Sequence, residues 1–241
     1  MNTSLSKAAL AAAGALCLAL AAGCPKTANC VGACYCDGGV CVCADDAVSG
    51  ANDCTMRCEG LHCAMTCASS GSCASTCGPE CQTSCQGGCG CDVGCADDCT
   101  SNCTNGRGCG GDCGDRCALT CAGGPCVYTV GQDSLVTCQG GSCCRVEAGS
   151  WTTVECTGSG VCDVTCQTGC VVRCSGGGPC VLRCLAGSCV FDPATCPAVC
   201  NSWGNGIQSC NLTCPEPGAP LPDGGLPRLS DCLAPSCDGG V

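Results

Sequence analysis

Cysteine is the residue best placed to do chemistry in this chain: 42 of its 241 residues are Cys, against a single histidine, His62. Thiols at this density serve in one of two ways. They pair as disulfides and replace a hydrophobic core in exported domains, or they stay reduced and ligate soft metals. Spacing bears on the choice. Zinc ribbons and dithiol redox motifs place two residues between successive cysteines, and no successive pair here has that interval. The dominant interval is three residues, in 19 of the 41 gaps. Cys34/Cys36, Cys41/Cys43 and Cys89/Cys91 are Cys-x-Cys pairs. With the scarcity of aromatics, they keep extracellular metal binding by thiolates or carboxylates as the alternative reading.

The first 23 residues favour oxidised sulfur. Lys7 precedes an Ala/Leu-rich apolar stretch, residues 8–22, that fits the h-region of a signal peptide and falls short of the ~20 residues needed to span a bilayer. It ends in Leu20-Ala21-Ala22-Gly23-Cys24. This resembles the lipobox of bacterial lipoproteins. The resemblance implies cleavage between Gly23 and Cys24 and a diacylglycerol anchor, of palmitate type, on the Cys24 thiol. That family usually has Leu three places before the Cys; here Ala21 holds that place and Leu20 stands one step further out. The other reading is a soluble secreted protein cut nearby. Removing Cys17 with the leader and using Cys24 for lipid leaves 40 of the 42 cysteines, an even number that can all pair. Disulfides persist in the periplasm and outside the cell, where unmetallated thiolates are oxidised.

Other reactive groups are few. A hydrolase triad needs a histidine, and His62, in Gly60-Leu61-His62-Cys63, reads as a turn residue between two repeat cysteines. The glycine-rich run at 106–111 lacks the Lys-Ser/Thr of a phosphate loop and reads as a turn. Acidic residues cluster at Asp97-Asp98 and at Asp112/Asp115; the run from Gly110 to Asp115 resembles a calcium-binding nonapeptide only superficially, because Cys113 stands where that motif needs Gly, and the clusters read as a solvated acidic face. No catalytic, cofactor-binding or metal-ligating residue is nominated, no cofactor is expected, and the chain is read as a non-enzyme. A net charge of −11 argues against nucleic acid as a partner.

The elements that position the cysteines must be short. Leu, Ile, Val and Phe total 35 residues, about 15 % of the chain, too few for a conventional core. Five segments follow: 1–23, signal peptide; 24–53, a Cys-rich segment after the lipidated Cys, with a hairpin-like run at 34–43; 54–126, an array of Cys-x3-Cys units; 127–214, the same unit enriched in β-formers; and 215–241, a Pro/Gly-rich tail in which Cys232 and Cys237 form one small loop. In the fourth segment a period of two sorts the residues. Cys162, Val164 and Cys166 share a face, as do Cys170, Val172 and Cys174, and Cys180, Leu182 and Cys184; Asp163, Thr165, Arg173 and Arg183 take the other. Trp151 begins a run continuing this pattern, with Val154 beside Cys156. Cysteines i and i+4 in one strand lie about 13 Å apart, too far to bond, since bridged Cα atoms sit within about 7 Å. These six cysteines are therefore disulfide candidates whose partners lie on neighbouring strands, stitching a sheet rung by rung. Cys143 and Cys144 should point to opposite faces and have different partners. The fold expected is a small disulfide-rich, β-leaning repeat protein of short stacked strands with Gly-rich turns. The repeat of eight to ten residues leaves a narrow β-solenoid and an array of hairpins both open.

The chain resembles, over nearly all its length beyond the leader, the cysteine-rich lipoproteins of myxobacterial type, which combine a lipobox with reiterated Cys-x3-Cys units. The resemblance implies a cell-envelope location, the outer membrane first, and transfers no catalytic residue. The function expected is a structural envelope lipoprotein with an acidic surface, adhesive or protective, held to the membrane by its lipid and meeting an envelope or extracellular protein partner. A disulfide-rich inhibitor or effector is the further alternative.

Overall fold

The structure is a computed structural model describing residues 28–31, 34–37, 40–44, 54–68, 71–86, 90–104, 107–141, 143–158, 160–201 and 207–212. The expectations for Gly23, Cys24, Cys232 and Cys237 lie outside the described residues.

Five-residue segments of the form Cys-x-Φ-x-Cys (Φ apolar) put positions one, three and five on one face when extended, with polar residues between them on the other. The chain takes that form repeatedly and builds two sheets. The first holds β1 (Ala28–Val31), β4 (Cys54–Cys58), β6 (Ser72–Cys77), β8 (Gly90–Cys95), β10 (Cys109–Cys113), β12 (Cys126–Val130), β14 (Cys143–Ala148), β16 (Val161–Cys166), β18 (Cys180–Cys184), β21 (Ile207–Cys210) and β20 (Val199–Cys200), in that order. The second runs from β19 (Val190–Phe191) through β17 (Val171–Cys174), β15 (Thr153–Thr157), β13 (Leu135–Gln139), β11 (Ala118–Ala122), β9 (Thr100–Thr104), β7 (Gln82–Cys85) and β5 (Ala64–Ala68) to β3 (Val40–Ala44) and β2 (Cys34–Asp37).

From β3 to β20 consecutive strands alternate between the sheets, and neighbours within a sheet are parallel from β4 to β18 and from β3 to β19. The chain is a β-solenoid of about seven stacked turns. Cys73 lies opposite Cys91, Cys91 opposite Cys109, Cys144 opposite Cys162 and Cys162 opposite Cys180, each an offset of 18 residues; one offset of 17 carries Cys109 to Cys126. The short unit visible in the sequence is thus half a coil. That is how so short a repeat closes: two strands and two corners make one turn. The compositional boundary between residues 126 and 127 falls inside continuous sheets.

The interior is one apolar column between two columns of sulfur. Val146, Val164 and Leu182 from the first sheet and Val136, Val154 and Val172 from the second are all fully buried. Toward the N-terminal end the same column holds Ser75, Thr83 and Ser101, also buried, and the hydroxyls of Thr83 and Ser101 have no partner among the described residues. The column is wholly apolar only in the C-terminal half, although Met56, Met65, Val93 and Leu119 are also buried toward the N-terminal end. Three of the four sheet ends of the parallel stack carry antiparallel strands: β1 on β4, β2 on β3, and β20–β21 on β18, with Cys196–Cys210 tying the last cap; the fourth end is the parallel strand β19. Such caps cover the unpaired edges that a parallel stack would otherwise present.

Two expectations need correction. The glycine-rich run at 106–111 is not wholly a turn, because Cys109–Cys113 is strand β10. Gly111 has φ 137°, and a Cβ there would stand 2.1 Å from the Val93 carbonyl oxygen, so close approach of successive coils requires glycine at this strand position. Trp151 does not begin a strand. It occupies a corner at φ 62°, 64 % exposed, and its ring covers Gly169 of the next coil, where a Cβ would meet it at 2.4 Å.

Candidate functional site

Each coil has two corners, and cysteines at the strand ends face each other across them. At the corner leading from the second sheet to the first, seven bridges stack without interruption, from Cys67–Cys73 through Cys103–Cys109 to Cys174–Cys180. The opposite corner carries Cys58–Cys63, Cys77–Cys81, Cys113–Cys117, Cys166–Cys170 and Cys184–Cys189. The rung-by-rung stitching expected within a sheet is absent from these bonds: each joins the two opposed sheets within one coil. In-register cysteines of one sheet point side by side, whereas corner cysteines point toward one another, with Cα atoms 5.8–6.6 Å apart. The Cys-x3-Cys interval accordingly has two meanings. Cys162/Cys166, Cys170/Cys174 and Cys180/Cys184 span a strand and do not bond to each other. Cys77–Cys81, Cys113–Cys117 and Cys166–Cys170 span a corner and do. Cys144 bonds Cys138, and Cys143 is bonded elsewhere, as their opposite orientation requires.

The second corner column is interrupted three times. In two coils its cysteines are replaced by Val130/Ser134 and by Ala148/Thr152. The buried hydroxyls hold these corners by hydrogen bonds instead: Ser134 Oγ accepts from the Cys117 N–H at 3.1 Å, and Thr152 Oγ1 donates to the Gly131 carbonyl at 3.1 Å. In the third, Cys95 and Cys99 are both present and stand as thiols. The hydrogen bond from Cys95 lowers the Cys99 thiol to about 7 against the opposing effect of burial; that same bond, and burial, push Cys95 up.

Five trios of cysteines have their sulfurs within 4.8 Å of one another, the geometry a thiolate metal centre would need. Four consist wholly of sulfurs already bonded in disulfides; the fifth joins Cys95 and Cys99 to bonded Cys77. A thiolate store needs reduced sulfur, so the thiolate form of the metal-binding alternative retains two free sulfurs among the described residues.

Outside these corners runs a column that glycine counting does not reveal. The residue before the closing Cys, Ser or Thr adopts positive φ in coil after coil: His62 (58°), Glu80 (56°), Asp98 (59°), Arg116 (56°), Asp133 (55°) and Trp151. Each donates its N–H to the coil above, as Asp98 does to the Asp115 carbonyl at 2.9 Å and Arg116 to that of Gln132 at 2.8 Å. Side chains pair along the same column. His62 Nδ1 lies 2.9 Å from Glu80 Oε2, and Arg116 donates twice to Asp98, at 2.7 Å each. His62 is thus a turn residue with a neighbour in the next coil. The acidic residues at these corners are structural rather than merely solvated: Asp97 Oδ1 accepts the Asp115 N–H and Asp115 Oδ1 that of Gln132, both at 2.9 Å.

Charge is unevenly distributed between the two sheets. Strands β3, β5, β7, β9, β11 and β13 of the second sheet contain no charged residue; their outward rows are Ala, Gln, Ser, Thr and Asn, with Val40, Val42 and Leu135 exposed. The first sheet carries Arg57, Asp92, Asp112, Arg145, Glu147, Asp163 and Arg183. Among the described residues, Glu155 of β15 and Arg173 of β17, paired at 2.6 Å, bring charge to the second sheet only beyond β13.

These features define a class, the disulfide-bridged parallel β-solenoid. Within that class the comparisons add no relative: no family model, curated protein or solved structure matches the chain.

Proposed function

We propose that this chain is a structural protein of the cell envelope, exported, anchored through lipid on Cys24, and used as a protease-resistant spacer or adhesive surface rather than as a catalyst. One observation carries the reading: every described coil between β5 and β18 has at least one covalent bridge across its corners. Each closure of four to six residues removes unfolded-chain entropy worth about 2 kcal/mol. Stability is therefore distributed along the whole stack instead of residing in one core, which suits a rod exposed to extracellular proteases. The disulfide content fits an extracellular or envelope location. The uncharged face from β3 to β13 supplies a flat contact area on a chain of net charge −11, where a partner of any sign meets little repulsion.

Two experiments test this. Proteolysis of the purified chain should leave the solenoid uncut until a reductant is added; rapid cutting of the oxidised chain overturns the scaffold reading. Cys24→Ala should release the protein from the membrane fraction and abolish incorporation of labelled fatty acid. Retention of label in that variant overturns the anchor.

A further inference from the structure

Cys95 and Cys99 lie in register with bonded neighbours on both sides. Cys95 pairs with Cys77 and Cys113 in the sheet. Cys99 is stacked between Cys81 and Cys117, since Thr100 N–H donates to the Cys81 carbonyl and Ala118 N–H to that of Cys99, both at 2.8 Å. Their separation of four residues is that of the adjacent Cys77–Cys81 and Cys113–Cys117 bridges. The Cys95 sulfur is 3.5 Å from the Cys77 sulfur, and the Cys99 thiol reaches the Gly78 carbonyl at 3.3 Å, across the coil boundary. A buried phenol stands two coils on, on β12. The Tyr128 hydroxyl is buried without a partner among the described residues, and burial holds its phenol above the usual range. A thiol in contact with a disulfide sulfur, beside a second thiol able to take its proton, is the arrangement that thiol–disulfide exchange requires.

We propose that Cys95 and Cys99 form an exchange site in which one disulfide is shared between two successive coils. The Cys95 sulfur attacks Cys77 Sγ. The Cys77–Cys95 bond forms as the Cys77–Cys81 bond breaks, Cys81 leaves as a thiolate, and the Cys95 proton passes to the Cys99 thiolate. One disulfide, one thiol and one thiolate stand on each side of the step, so no oxidant is consumed. A small external disulfide enters at the same place: glutathione disulfide forms a mixed disulfide with one thiol, the other displaces it, and Cys95–Cys99 closes with release of two molecules of glutathione. The site makes the solenoid a reversible acceptor of one disulfide, a property separate from its role as a scaffold.

The test uses the full oxidised chain, trapped with N-ethylmaleimide without reductant, digested, and mapped by mass spectrometry. Two adducts distributed over Cys81, Cys95 and Cys99 are expected, together with a Cys77–Cys95 cross-linked fragment. Prior incubation with glutathione disulfide should remove both adducts. Cys95→Ser should abolish the cross-link and leave a single adduct on Cys99. Because that variant could misfold, Cys99→Ser is mapped alongside, and it should keep an adduct divided between Cys81 and Cys95. Quantitative recovery of Cys95–Cys99 and Cys77–Cys81 from the untreated chain, with no adduct in this region, overturns the proposal and leaves the scaffold reading intact. Adducts throughout both corner columns would overturn the scaffold reading instead.

Discussion

Six non-glycine residues hold positive φ at the same corner of successive coils, in a conformation that costs an L-residue roughly 1–2 kcal/mol. Asp133 is among them, exposed on the corner whose bridge is replaced by Ser134. Asp133→Gly should relieve that cost at the smaller expense of backbone entropy, raising stability by about 0.5–1 kcal/mol in denaturant unfolding. Ser101 presents the reverse case. Its buried hydroxyl is unpartnered, so Ser101→Ala should leave stability unchanged or raise it by about 1 kcal/mol; a loss greater than that would show that the hydroxyl is satisfied. Asp98 is held below its ordinary 3.8 by the hydrogen bonds from Arg116. A carboxyl depressed in the folded state stabilises above its unfolded value, and that contribution is lost as pH falls through the lower, folded midpoint. NMR titration should therefore place the Asp98 midpoint below 3.8, and Arg116→Gln should return it toward that value.

At the scale of the element, the strand is a two-faced object whose inner face carries the covalent chemistry. Val154, Val164, Val172 and Leu182 were legible as inward residues because alternation is local and needs no knowledge of the partner. The bonding pattern was not legible. Whether Cys166 joins Cys162 or Cys170 depends on where the strand ends and the corner begins, and both intervals are the same length. The intervening residues hold a partial signal: Gln167-Thr168-Gly169 is turn material, and Asp163-Val164-Thr165 is not. Close stacking makes a further prediction for Gly111. With the Val93 carbonyl in the way, Gly111→Ala should destabilise the chain by more than about 2 kcal/mol, whereas the same change at Gly140, which has open space around it, should be limited to the strain of its φ of 74°.

On the scale of the whole molecule, each coil touches mainly its neighbours, so stability should be nearly a sum over coils. Deleting residues 144–161 removes one bridgeless corner together with Cys144 and Cys156, and it leaves Cys138 facing Cys162 in the shortened stack. That variant should fold, with intact mass showing one disulfide fewer and circular dichroism retaining the β signal; collapse to an unfolded chain would show a core that the coils share. The sequence by itself determined that sulfur replaces grease, that the strands are short and two-faced, and that His62 belongs to a turn. All of these follow from composition and nearest-neighbour spacing. Only the tertiary structure decided that two units make an 18-residue coil, that bridges cross corners rather than rungs, that Cys95 and Cys99 meet a bonded neighbour, and that the second sheet is free of charge from β3 to β13. Each of those depends on which residues are superposed one full turn apart, and that register is set by closure of the coil, a property no local stretch of chain contains.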